Sequence, residues 1–95
     1  MRRAAKRDDN EEAIVSALRK AGVSVRHLMQ GDGLPDLLCG LPGGTFLIEV
    51  KDGSKPPSQR RLTEAEQKFF DEWPNGNVHV VTSVSEALDL IAKYG

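Results

Sequence analysis

The chain has 95 residues, 39% of them apolar and 28% charged, and a net charge of −1. That is one small domain of ordinary globular balance, and no run of about 18 apolar residues is present to span a membrane. Cys39 is the only cysteine, which excludes an internal disulfide and a cysteine-built zinc site.

Met1 to Arg7 carries Arg2, Arg3, Lys6 and Arg7 and no apolar pattern. It reads as a flexible basic arm able to touch phosphates. It leads into Asp8-Asp9-Asn10 rather than an apolar stretch, so no signal peptide is expected and a cytoplasmic location follows. Residues 8–95 read as a single folded domain.

Asp8 to Ala21 predicts a helix, with Asp8, Asp9 or Asn10 as its cap and Gly22 as its stop. Asp-x-x-Glu occurs twice, as Asp8/Glu11 and Asp9/Glu12. Ile14, Val15, Leu18 and Ala21 form the inward stripe. Glu11 falls on the edge of that stripe, where it either offsets the helix dipole or faces a site. Val23 to Leu28 alternates like a first strand, with His27 as a half-exposed strand residue. Met29 to Gly33 is a turn or loop. Its Gly31-x-Gly33 lacks the third glycine and the following helix of a dinucleotide loop, so that reading is discarded.

Leu34 to Cys39 predicts a short apolar strand entered through Pro35, with Cys39 as a small buried hydrophobe. Gly40 to Gly44 is the hairpin loop. Thr45 to Lys51 is the central strand. Residues two apart in a strand share a face, about 7 Å apart. Glu49 and Lys51 are such a pair, following Thr45 and Leu47 on a solvent face, while Phe46, Ile48 and Val50 read as core. If the two strands pair, Asp36 comes close to Glu49. Two carboxylates and a lysine at one place suit a hard divalent cation beside a phosphate.

Asp52 to Arg61 is a loop carrying Lys55, Arg60 and Arg61, read either as solvated or as lying near whatever Glu49 holds. Thr63 to Trp73 predicts a second helix with a Thr63-x-x-Glu66 capping box and Pro74 as its stop. Ala65, Phe69, Phe70 and Trp73 form its apolar stripe, which reads as core rather than as a base-stacking platform. Glu66 and Gln67 lie in its first turns and can face the site. Asn75 to Asn77 is a turn, and Val78 to Thr82 a fourth strand in which His79 reads as structural. Ser83-x-x-Glu86 caps a last helix carrying Ala87, Leu88, Ile91 and Ala92.

The order αβββαβα predicts an α/β fold with a four-stranded mixed sheet flanked by helices. The path from strand 45–51 through helix 63–73 to strand 78–82 fits a right-handed parallel crossover.

Four pieces together resemble the PD-(D/E)xK nuclease superfamily. They are Asn10-Glu11 before Ile14-Val15-x-x-Leu18, Gly31-x-Gly33-x-Pro35-Asp36-Leu37, Glu49-Val50-Lys51-Asp52-Gly53, and Leu62-Thr63-x-x-Glu66. The chain is most similar to small stand-alone VRR-NUC proteins of the phage type and to archaeal-type Holliday-junction resolvases. The resemblance spans about residues 8 to 92 and implies a restriction-endonuclease-like core. It implies that Asp36 and Glu49 bind Mg²⁺ or Mn²⁺, with the Val50 carbonyl as a further ligand and Glu11 acting through the metal's water shell. It implies that Lys51 orients or deprotonates the attacking water. Related proteins often have Gln where Glu66 stands, so Glu66 or Gln67 is the accessory residue.

The resulting expectation is a divalent-metal-dependent endonuclease acting on branched or structured DNA, such as Holliday junctions, with no small-molecule cofactor and no membrane partner. The net charge is no obstacle. Residues 1–61 carry 11 basic and 8 acidic side chains, a balance of +3, and residues 62–95 carry 2 and 6, a balance of −4. Arg2, Arg3, Lys6, Arg7, Gln30, Lys55, Arg60 and Arg61 are the candidate DNA contacts. Two coordinated cuts need two sites, so a symmetric homodimer is expected. The alternatives are a non-catalytic nucleic-acid- or protein-binding module on the same fold, and a structural domain with an accidental motif.

Overall fold

The computed structural model describes residues 8–94, so Gly95 and the basic arm with Arg2, Arg3, Lys6 and Arg7 lie outside the described residues. The elements follow the predicted order: α1 (Glu11–Lys20), β1 (Ser24–His27), β2 (Leu37–Leu41), β3 (Gly44–Val50), α2 (Glu64–Glu72), β4 (Val78–Val81) and α3 (Val84–Ala92). Short 3₁₀ turns at Pro57–Gln59 and Pro74–Gly76 flank α2.

The sheet order is β1-β2-β3-β4, antiparallel through β3 and parallel between β3 and β4. Two reversals are short and local, whereas the parallel pair needs the crossover that contains α2. The β2–β3 turn is tighter than the five-residue loop expected. Leu41 pairs with Gly44, leaving only Pro42 and Gly43 outside the ladder. A two-residue connection is the commonest way to reverse an antiparallel pair, and pairing the flanking residues satisfies their backbone groups. At its other end β2 starts later than expected, at Leu37, because Pro35 has no N–H to donate.

One face of the sheet carries the core. Ile14, Val15 and Leu18 of α1 and Ala87 and Leu90 of α3 close over Val25, Leu37, Cys39, Phe46, Ile48, Val50 and Val81. Phe46 stacks on Tyr94 at 4.3 Å, and His79 meets both rings edge-on with its Nε2 2.6 Å from the Tyr94 hydroxyl. The inward residues of α3 differ from the stripe expected: Leu90 is buried while Leu88 and Ala92 are exposed. Ala21 also lies outside the core, since α1 ends at Lys20.

Two expectations are overturned on the second face. Leu47 and Glu49 are 6% and 4% exposed, so this side of β3 is not solvent-facing. The loop around Gly33 lies against the start of α2. A Cβ on Gly33 would overlap the Ala65 carbonyl and come within 2.7 Å of the Glu66 nitrogen. Gly33 also has φ +73, so both its space and its backbone require glycine. The helix itself buries none of its residues. Ala65 and Trp73 are exposed and Phe69 and Phe70 only half-buried, so the apolar stripe of α2 is not core. Helical periodicity shows which side of a helix is apolar, but not whether another layer covers it.

Candidate active site

Asp36 ends the stretch that leads into β2. The β2–β3 ladder closes at Leu37 and Ile48, so the Val50 N–H two residues beyond needs another acceptor. Asp36 Oδ2 supplies it at 2.8 Å. That bond draws a 7%-exposed carboxylate into line with Glu49. Burial, the charges of Asp36 and Glu66, and a hydrogen bond to Asp36 together push the Glu49 pKa up to about 9, against the opposing pull of Lys51. Glu49 therefore keeps its proton at neutral pH. Glu49 Oε1 is buried with no hydrogen-bond partner.

Lys51 follows β3 on the Glu49 side. Its Nζ lies 2.8 Å from Glu66 Oε1 and 3.6 Å from Glu49 Oε2. Burial pulls its pKa down, but the hydrogen bond to Glu66 and the charges of Glu66, Glu49 and Asp8 outweigh it, so the pKa is raised. Lys51 is thus a firmly held ammonium. Glu66 also completes the predicted capping box: its N–H donates to Thr63 Oγ1 and its Oε1 accepts the Thr63 N–H at 2.8 Å. Burial would raise the Glu66 pKa, but the bonds from Lys51 and Thr63 lower it. One carboxylate therefore fixes both the helix start and the lysine.

Asp36, Glu49, Val50, Lys51 and Glu66 line one cavity of about 320 Å³, with Gln30, Thr63 and Asp8 on its walls. Asp8 and Thr63 were read from sequence only as caps. Burial raises the Asp8 pKa, with Asp36 and Asp52 adding to it and Lys55 and Lys51 opposing. Asn10 was another residue read as a cap, yet its side chain makes no capping bond. Its Nδ2 donates instead to the Lys51 and Thr82 carbonyls, both at 3.0 Å, and ties the start of α1 to the ends of β3 and β4. No local sequence signal marks a bond between residues 41 and 72 positions apart.

Other predicted residues lie elsewhere. Glu11 is 3% exposed, with Oε2 3.0 Å from His27 Nδ1. It lines a neighbouring groove with His27 and Arg19, and Asp8 lines both that groove and the cavity. Gln67 is exposed and donates to Asp71 Oδ1 at 2.9 Å, turned along its own helix. The Lys55 carbonyl accepts from Arg60 Nε at 2.8 Å, knitting the 52–61 loop together, and neither Lys55, Arg60 nor Arg61 lines the cavity. Among the described residues, no three His, Cys, Asp or Glu side chains are gathered at metal-binding spacing. The oxygen set is instead a pair, Asp36 and Glu49, beside Val50. Two converging carboxyl groups and an unpartnered buried oxygen fit a hard divalent cation, whose charge would take the place of the Glu49 proton.

No family model matches the sequence, and no curated protein matches it closely enough to be informative. A solved structure described as a VRR_NUC domain is similar over 93% of this chain and the whole of that chain, at 30% identity and a TM-score of 0.64. Similarity of that extent carries both the four-stranded sheet with its three helices and the sequence itself, and it places this chain in the VRR-NUC family, with a nuclease-type domain.

Proposed function

We propose that the protein is a divalent-metal-dependent endonuclease that hydrolyses phosphodiester bonds in branched or structured DNA, with Holliday junctions as the leading substrate. The observation that carries this reading is the meeting of the buried Asp36 and Glu49 carboxyl groups in one cavity with the Lys51 ammonium, 3.6 Å from Glu49, in a VRR-NUC fold.

Asp36, Glu49 and the Val50 carbonyl would hold Mg²⁺ or Mn²⁺, and Glu11 would act from the adjoining groove through intervening water. When bound, the ion supplies Lewis acidity toward water and phosphate. The chain's own groups do the positioning. Lys51 stays protonated and donates hydrogen bonds to the attacking water and to a non-bridging phosphate oxygen. Glu66 holds the ammonium at the cavity wall and keeps it charged. Gln30, on the same wall, offers an amide to the sugar-phosphate backbone. Lys55, Arg60 and Arg61, and the arm that precedes Asp8, supply positive charge for the flanking phosphates.

Lys51→Ala should leave the fold intact and reduce junction cleavage in Mg²⁺ or Mn²⁺ by at least about a hundredfold, the scale on which single transition-state donors act. Cleavage by wild type should vanish in EDTA. Assays over four-way junctions, flaps, forks and linear duplex rank the substrates, and undiminished cleavage by Lys51→Ala or by wild type in EDTA would defeat the proposal.

A further inference from the structure

The C-terminal end of α2 holds an aromatic pair that the core does not use. Phe69 and Trp73 stack at 4.7 Å with 16° between their planes. Phe69 covers one side of the indole, yet Trp73 remains 42% exposed. With Leu38, Thr45, Leu47 and Asn75, the indole lines a cavity of about 280 Å³. Among the described residues, no lysine or arginine contributes to that lining. The cavity therefore suits a flat, neutral group and not a phosphate.

Its position relates it to the Asp36–Glu49 site. Leu38 pairs with Leu47 across the β2–β3 ladder. Thr45, Leu47 and Glu49 follow one another at two-residue spacing on the same face of β3. At about 3.3 Å per residue, Thr45 lies ~13 Å along the strand from Glu49. At the roughly 3.4 Å per nucleotide of a duplex strand, that span is about four nucleotides, and fewer for a drawn-out strand. α2 joins the two places, with Glu66 in the catalytic cavity and Trp73 following its last turn.

We infer that Trp73 is a stacking platform for an unpaired base of the same nucleic-acid strand whose scissile phosphate enters the Asp36–Glu49 cavity. The inference rests on the nuclease reading above. Every base has a π-face, so such a platform is tolerant of sequence and selective for unpaired strand. Phe69 fixes the indole in advance, which lowers the entropy lost on stacking. Asn75 and Thr45 line the same cavity and can offer an amide and a hydroxyl to the edge of a stacked base. The platform favours substrates whose strands come apart within a few nucleotides of the cut, such as flaps, forks and branch points, over intact linear duplex.

Trp73 is the chain's only tryptophan, so its emission reports on this site alone. The test titrates the full chain in EDTA with a short oligothymidylate and with a blunt duplex of equal length, at one ionic strength. The single strand should quench the emission saturably and the duplex should not. Trp73→Ala should weaken single-strand binding about 5- to 150-fold, the range measured for losing one stacked base. Trp73→Phe should restore most of the affinity, and circular dichroism should show both variants folded. Unquenched emission with the strand bound, or unchanged affinity in Trp73→Ala, would overturn the platform. So would emission that shifts with protein concentration before any nucleic acid is added, because a second copy would then be the occupant. Failure of the nuclease reading looks different: wild type would cleave none of the DNA substrates in Mg²⁺ or Mn²⁺.

Discussion

Burying Glu49 against Asp36 stores repulsion that a proton relieves in the absence of a cation. The Glu49 pKa rises from 4.5 to about 9, chiefly because burial disfavours the charged form. Below about pH 4.5 the group is protonated in both folded and unfolded chains, and its contribution to stability is fully present. Between about 4.5 and 9 the unfolded chain releases the proton while the folded chain keeps it, so stability falls as pH rises. Glu49→Gln removes that slope. In EDTA the variant should gain at least about 1 kcal/mol over wild type between pH 5 and pH 8, one pKa unit being worth about 1.36 kcal/mol. Urea unfolding at the two pH values measures it, and a wild-type stability that parallels the variant's across this range contradicts a proton held on Glu49. The identity of this carboxylate was legible in the sequence, because the alternation Thr45, Leu47, Glu49 assigns it a face. Its burial was not legible, since the Gly33 loop that lines the same cavity meets α2 through a contact between segments more than thirty residues apart.

At the scale of elements, the capping of the three helices separates what local sequence encodes from what it does not. Thr63 and Glu66 close a capping box as read, because all its atoms lie within four residues. At α3 only half of the pattern forms. Ser83 accepts the Glu86 N–H, but the Glu86 carboxylate turns to the Thr82 N–H and hydroxyl at 2.7 and 2.8 Å. At α1 the Asn10 side chain makes no capping bond, and its amide spans to Lys51 and Thr82. Those two acceptors close β3 and β4, so the amide links a helix to both strands beside the Lys51 side chain. Asn10→Ala should cost about 1–3 kcal/mol, since it takes a donor from two part-buried carbonyls, of which Thr82 keeps the Gly53 N–H at 3.2 Å. Asn10→Asp should cost more, because a carboxylate cannot donate to either oxygen and repels both. Chemical denaturation of the two variants checks the order. Equal stability of wild type and Asn10→Ala would mean the amide bridges nothing of consequence.

At the scale of the whole molecule, the described residues hold a single Asp36–Glu49–Lys51 cavity per chain. Radius of gyration is 12.9 Å, so one copy is too small to enclose a four-way junction. Opposed strands of such a junction are related by a two-fold axis, and a two-fold pair of chains would present one cavity to each. The homodimer therefore follows from the proposed substrate, and it can be tested apart from the site chemistry. Sedimentation at micromolar concentration should give twice the monomer mass, and a pure monomer would rule the dimer out. Lys51→Ala chains mixed with wild type at equal concentration and allowed to exchange should form about half mixed dimers. Those dimers carry one working site, so a junction with one labelled strand pair should accumulate nicks in place of paired cuts. If the mixture yields paired cuts in proportion to the wild-type chains alone, with no excess of nicks, each chain completes its cuts independently, and two sites need not be held together.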